Sequence, residues 1–353
     1  MTGPDPTTVL PGGGLAMSVV HPGPPALRVR YREGVLMTPA GHPDWPLCAR
    51  AVVELPPPPA GLSRDEVRVV DVLAANLVTT RAAREPDGDP LFADTDPFTT
   101  PAGWCWAHQG GARQVALVPI ELHGVFRHAG AVATLPVGGR GLRGAGAGAI
   151  RPAVGDPVPE EILDTLERVL GWPLPDRYRA FLAATNGAGP AAPGVLPGFG
   201  FIADQPLFGI ARDDRFQDLS YVVGLFRDRF TVDYLPVGYV QGGLLVVKVS
   251  GDDLDSVWYW DDDDPRDRDA YDAEVICAEL LHRCADSMDD LWARLVAVPE
   301  PLAALADSWL VEGLAREVRD EFVGAGLPPR AAPPWQPAER SAADPLVAMF
   351  EAR

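Results

Sequence analysis

Apolar residues recur at helical intervals in several stretches of this chain. From Ser63 to about Ala83 they fall at Val67, Val70, Leu73, Ala74 and Leu77, which predicts a helix. Ser63 with Glu66 three residues on is a capping-box signature for its start, and Asp71 and Asn76 lie within it. Residues Pro159–Gly171 place Ile162, Leu163, Leu166, Val169 and Leu170 on one face, with acidic residues in the first turn and Gly171 as the stop. Leu174-Pro175-Asp176 opens a second helix to Asn186-Gly187, with Tyr178, Phe181 and Leu182 as its face. One long helix is predicted over about Asp272–Val298, carrying Val275, Cys277, Leu280, Leu281, Cys284, Leu291 and Leu295. That spacing puts Cys277 and Cys284 on one side and His282 on its surface. A further helical segment covers Leu302–Val323.

Shorter apolar runs read as strands. They are Leu27–Arg32, Val35–Met37, Ala51–Leu55, Trp104–His108, Val115–Val118, Phe199–Ile202 and Pro206–Ile210, with Gly243–Val249 and Ser256–Trp260 the clearest. Pro119 opens a short helix directly after a strand, a position that suits proline. Trp104 and Trp106 share a strand face and read as core. Helices and strands in this mixed order predict an α+β chain. Five parts follow: a Gly- and Pro-rich, disordered 1–26; a first module at 27–137; a linker at 138–151 with little to bury; a second module at 152–298; and a helical extension with a Pro-rich tail at 299–353, including Trp335.

Composition narrows the classes. At 353 residues and 47% hydrophobic content the chain can bury two ordinary cores. It has no apolar run of about 18 residues and no basic, apolar leader at its start, so a cytoplasmic protein without membrane contact is expected. Four scattered cysteines, without a CxxC pair, speak for reduced thiols. Residues 1–150 hold 12 Arg against 13 Asp and Glu, a net of −1. Residues 151–353 hold 18 Lys and Arg against 36 Asp and Glu, a net of −18. Such a second half repels nucleic acid and attracts basic surfaces.

The candidate chemistry sits in one segment. His108, His123 and His128 are three of the chain's six histidines. Two strands followed by a helix, with histidines on both, is a ββα arrangement that can pinch a transition metal between strand and helix and hydrolyse a phosphodiester. In the same segment, Trp106-Ala107-His108, Leu117-Val118-Pro119, His123 and His128 with Gly130 resemble the WHH branch of the HNH/endonuclease-VII superfamily, nucleases found as toxin tips in bacterial conflict systems. Gly41, Pro43, Asp44 and Trp45, and Asp71 with Ala75-Asn76, resemble the family's upstream elements; the resemblance covers about 28–135. It implies His108 as general base and His123 and His128 as metal ligands. It also implies a histidine ligand where this chain has Ala107, and a second glycine where it has Ala131. Cys105 is a candidate thiolate in its place. The alternative is a retained fold whose histidines bond internally without metal. No cofactor is expected unless the site is active, in which case it is a divalent transition metal.

The second module carries Leu174-Pro175-Asp176, Tyr178, Phe181-Leu182, Asn186-Gly187, Leu207-Phe208-Gly209, Leu235-Pro236-Val237-Gly238, Gly242-Gly243 and Val257-Trp258-Tyr259-Trp260-Asp261. In this order they resemble the SUKH superfamily, the Smi/Knr-like proteins that include bacterial immunity proteins, over about 155–297. The resemblance implies a sheet with flanking helices and a protein-binding role. No nucleophile triad, phosphate loop or metal-ligand cluster appears in this half. The run Asp261–Asp264 with Asp267 and Asp269 reads as a solvated acidic loop; a Ca²⁺ site is its alternative, without EF-hand spacing. A third reading joins Asp252, Asp253, Asp255, Asp261, Asp262, Asp263 and Asp264 into an acidic face for a basic toxin. Two functions are therefore expected to compete. One is an immunity-type protein that binds and neutralises a nuclease toxin and carries an inactive nuclease-like domain. The other is a metal-dependent HNH-type endonuclease fused to its own immunity-like module. A DNA groove would have to be built from Arg50, Arg113, Arg127 and few others, so a nucleic-acid partner is not expected.

Overall fold

Strand β1 (Ala51–Glu54) runs up to the proline stop and helix α1 (Arg64–Ala82) follows. The Ser63 hydroxyl accepts from the Glu66 amide at 3.1 Å, and the Glu66 carboxylate accepts from the Ser63 amide at 2.8 Å. This reciprocal pair satisfies two amides that a helix start leaves open. The computed structural model describes residues 43, 45–47, 49–86, 88–93, 95–125, 131–132, 135, 137–142, 148–212, 215–264, 266–267 and 271–318. The expected strands at 27–37, together with His21, His42, His128 and Trp335, lie outside them. The chain divides into two compact units: Met1–Arg143 with Asp262–Ala270 and Pro299–Gln336, and Gly144–Asp261 with Tyr271–Val298 and Pro337–Arg353.

In the first unit, β2 (Trp104–His108) and β3 (Gln114–Pro119) form an antiparallel hairpin with Trp106 opposite Leu117 and His108 opposite Val115. On the other side of β3 lies β1, Val52 opposite Ala116. Helix α2 (Ile120–Val125) begins directly after Pro119, which ends β3 as a strand residue. The apolar face predicted for α1 is buried, and so are Asp65, Glu66, Arg68, Asp71 and Asn76. Buried polar groups must find partners, so α1 is held by charges as well as by apolar packing.

The Gly-rich linker departs from expectation at its start. The Ser63 hydroxyl donates to the Gly141 carbonyl at 2.7 Å, the Gly141 amide donates to Asp65 at 2.5 Å, and Leu142 is buried. The open amides and acids at the start of α1 supply partners that composition alone does not reveal.

The second unit opens with α3 (Glu160–Leu170), which buries Leu163, Leu166 and Val169 but leaves Ile162 40% exposed at the rim of its stripe. Gly171 stops it at φ 83°. Helix α4 (Asp176–Thr185) buries Tyr178, Phe181 and Leu182 and ends on left-handed Asn186. The short strands β4 (Gly194–Val195) and β5 (Ile202–Ala203) pair antiparallel. The expected strand at Pro206–Ile210 makes only isolated bridges, Leu207 to Gly238 and Gly209 to Asp218. Helix α5 (Leu219–Leu225) follows, then the antiparallel strands β6 (Tyr234–Val240), β7 (Gly243–Lys248) and β8 (Val257–Asp261). Gly243 is required at the first turn. Its φ is +151°, and a Cβ there would collide with the Trp260 carbonyl.

The single helix predicted over 272–298 is instead α6 (Ala273–Glu279), β9 (Leu281–Ala285), α7 (Met288–Arg294) and β10 (Val296–Ala297). Strand β9 completes the sheet order β6-β7-β8-β9, and β10 pairs with β4. The free edge of β8 offers Leu281–Ala285 a ladder of backbone partners, and tertiary pairing of this kind overrides local helix preference. Ser287 then caps α7, accepting from the Asp290 amide at 3.2 Å. Cys277 and Cys284 therefore sit on different elements, and His282 is a strand residue opposite Tyr259.

The chain then returns to the first unit. Helix α8 (Glu300–Val311) buries Leu302, Ala306 and Trp309, and β11 (Arg316–Glu317) pairs with β1, Val53 opposite Glu317. The predicted helix to 323 ends early at a left-handed Gly313. What reads as an extension is an edge of the first sheet, whose order is β11-β1-β3-β2. The chain is α+β. Among the described residues no helix is long and apolar enough to cross a membrane.

Candidate functional site

Helix α1 and the β2–β3 hairpin hold the candidate base. His108 Nε2 lies 2.9 Å from Asp71 Oδ2. Arg113, beyond the hairpin turn, grips the same carboxylate with two bonds of 2.8 and 2.7 Å and donates to the Pro56 carbonyl at 3.0 Å. Asp71 is fully buried, so the bidentate guanidinium and the imidazole supply the partners that its carboxylate needs. One turn on, Asn76 accepts from Trp106 Nε1 at 2.7 Å and donates to the Phe98 carbonyl and the Thr100 hydroxyl. Asp71 and Asn76 thus pin α1 to one face of β2. The imidazole nitrogen that donates to Asp71 has no lone pair to accept a proton, so any base role falls to Nδ1.

Ala107 points the other way, because successive strand residues alternate. It is 1% exposed. Gln109 continues the same face and ties down the upstream segment: its Oε1 accepts from the Trp45 amide at 3.2 Å, and its Nε2 donates to the Pro43 carbonyl. The Trp45 ring lies 5.2 Å from that of His123, on α2. The buried His123 has its Nδ1 3.6 Å from Asp262 Oδ2. His123 therefore belongs to the side that Ala107 faces, and His108 to the side of α1. The resemblance asks for a donor at Ala107, and a methyl group supplies none. Cys105 shares that face and is buried. Among the described residues the donors do not complete the family's ligand set.

Two of the three arginines from which a DNA groove would have to be built are engaged internally. Arg50 pairs with Asp89 at 2.6 Å, Arg113 with Asp71, and Arg127 lies outside the described residues. Arg68, which sequence reasoning missed, is 2% exposed and donates to Asp263 at 2.7 Å. An arginine set between Val67 and Val69 on a predicted helix was the one available signal.

The acidic set separates by burial. Asp261, Asp263 and Asp264 are buried. Burial pushes the Asp264 carboxyl upward, but hydrogen bonds and charge from Arg266 outweigh it and hold the group below its ordinary range. Asp261, Asp262 and Asp263 bring carboxylate oxygens within 4.8 Å of one another, with Asp263 already held by Arg68. The solvated loop expected at 261–264 is thus largely withdrawn from water. Asp252 and Asp253 remain exposed. Asp255 accepts from the amides of Arg177 and Tyr178 at the start of α4.

Two family models match the chain. Residues 98–137 match WHH, a nuclease of the HNH/ENDO VII superfamily with conserved WHH. Residues 157–293 match the SMI1/KNR4 family, SUKH-1. No curated protein matches. The first match spans the hairpin and α2, and the second spans α3 through most of α7. The chain thus carries a WHH nuclease-like domain of the HNH/ENDO VII superfamily, followed by an SMI1/KNR4 (SUKH-1) domain.

Proposed function

We propose that this chain is an immunity-type protein of a toxin system. Its SMI1/KNR4 module binds and neutralises a basic protein toxin, a nuclease, and its WHH module keeps a nuclease fold without cutting. The observation that carries this reading is Ala107, a buried methyl group on β2 where the conserved WHH calls for a histidine. Two further features support it. His108 is bonded to Asp71 on the opposite face, and the arginines that would draw DNA are paired with acids. An acidic second half favours encounter with a basic protein over nucleic acid. On this reading the exposed Asp252 and Asp253 belong to the partner face.

The full chain is expected to leave supercoiled plasmid intact in Mg²⁺, Mn²⁺, Ni²⁺ or Zn²⁺, and to protect cells that co-express a WHH-type nuclease toxin. Cleavage abolished by His108→Ala would overturn the first half of the reading, and unprotected cells the second. A second reading has its own observation. Asp262–Ala270, inside the SMI1/KNR4 match, folds with the first unit and brings Asp262 against His123. In that reading the chain is a metal-dependent endonuclease held in check by its own acidic module, and Asp262→Ala with Asp263→Ala would release plasmid cleavage.

A further inference from the structure

The turn between β7 and β8 holds three left-handed residues in a row of five: Gly251 at φ 75°, Asp253 at 63° and Asp255 at 72°. Two of them are not glycine, and such residues rarely keep this conformation. Contacts hold both. Asp255 accepts from the Arg177 and Tyr178 amides at 3.2 and 3.0 Å. Asp253 accepts from Arg283 at 2.7 Å, and its carbonyl accepts from the Ser256 amide at 3.0 Å. The turn therefore presents Asp252 and the 51% exposed Leu254 from a fixed frame.

Beside it the sheet carries half-buried aromatic residues. Tyr234 stands opposite Lys248 across the β6–β7 ladder, and the Lys248 ammonium lies 4.9 Å from its ring centroid. Trp258 meets Tyr234 edge to face at 6.0 Å. The turn before β6 carries Val232, 81% exposed, and is tied to the end of β7 by the Val249 amide donating to the Asp233 carbonyl at 2.8 Å. One end of this sheet thus gathers aromatic and apolar surface beside the exposed acids Asp252, Asp253 and Asp286; the last two share Arg283, which stands opposite Trp258.

The geometry points to this end of the sheet, centred on Tyr234 and Trp258, as the docking surface for a basic protein partner. The inference rests on the reading that the SMI1/KNR4 module binds a protein. Half-exposed Trp and Tyr on a rigid frame are the residues that dominate protein interfaces. The acids outnumber Arg283 and Lys248 there, with Asp252 exposed, and this excess favours a basic partner. A second copy of the chain would bring the same acidic excess against it, and nucleic acid would meet like charge.

The test uses the full chain against a panel of purified WHH nuclease domains of positive net charge, each silenced at its general base, with kinetics followed at low and moderate salt. Binding by at least one domain is expected. Trp258→Ala should weaken it about thirtyfold, and Val232→Asp or Leu254→Asp about tenfold or more. Those last two positions are exposed, so their variants keep the fold. Asp252→Lys should slow association about tenfold and flatten its salt dependence. Val154→Asp, at a position 102% exposed, should bind as the parent does. Unchanged binding by Val232→Asp and Leu254→Asp would overturn this surface while leaving a protein-binding module in place. No binding by the parent chain would overturn the functional reading together with the surface. Self-association lost in Leu254→Asp would assign the surface to a second copy instead.

Discussion

Helix α1 of the first unit turns its charges inward, and the turn at Gly251–Asp255 of the second displays two of its acids. Helix α1 buries Asp65, Glu66, Arg68 and Asp71 along with its valines and leucines, whereas α3 buries only apolar residues and leaves Glu160, Glu161 and Asp164 exposed. The same residue type thus does opposite work. Asp71 and Asp263 meet Arg113 and Arg68 from buried positions, while Asp252 is exposed beside half-buried aromatic surface. A buried carboxylate is fixed by the partner that offsets its desolvation. An exposed one adds little to folding and is left available for encounter. Net charge summed along the sequence does not separate these roles.

The comparison predicts a graded set of effects. The largest is at Arg68: Arg68→Ala leaves Asp263 buried without its guanidinium and should cost about 3–5 kcal/mol, read from the urea midpoint of the full chain. A cost near that of an exposed pair would break the contrast between the units. Ser63→Ala removes the cap of the same buried helix and should cost about 1 kcal/mol in the same measurement.

Acid provides the next contrast. The Asp264 carboxyl titrates below its ordinary value because of Arg266, so its stabilising contribution is present above the ordinary carboxylate range and lost as pH falls through its lowered value. Denaturation at about pH 5 and about pH 2 should show the parent chain losing more stability than Asp264→Asn; equal losses would remove this group from the balance. The smallest effect is on the displayed side. Asp252→Asn should change stability by less than about 0.5 kcal/mol, and a larger loss would mean that this residue is structural.

Much of the site was legible before the fold. Strand β2, the capping box at Ser63, the helix after Pro119 and the stops at Gly171 and Asn186 follow from local spacing and chemistry, and each stands where that chemistry puts it. Residues 272–298 were not legible, because their apolar spacing suits a helix and only the open edge of β8 makes Leu281–Ala285 a strand. The acidic run was misjudged for a related reason. Four consecutive aspartates read as solvated, yet Arg68, nearly two hundred positions away, takes one of them inside.

Sequence by itself determined the two modules, their order, the missing histidine at position 107 and the uneven charge, since these depend only on residue identity and short-range spacing. Tertiary structure alone decided that His108 turns to Asp71 while Ala107 faces the His123 side, that 300–317 closes the first sheet, and which aspartates remain in water. Those outcomes depend on which distant backbone edge or buried charge needs a partner, and that requirement arises only once the chain has folded.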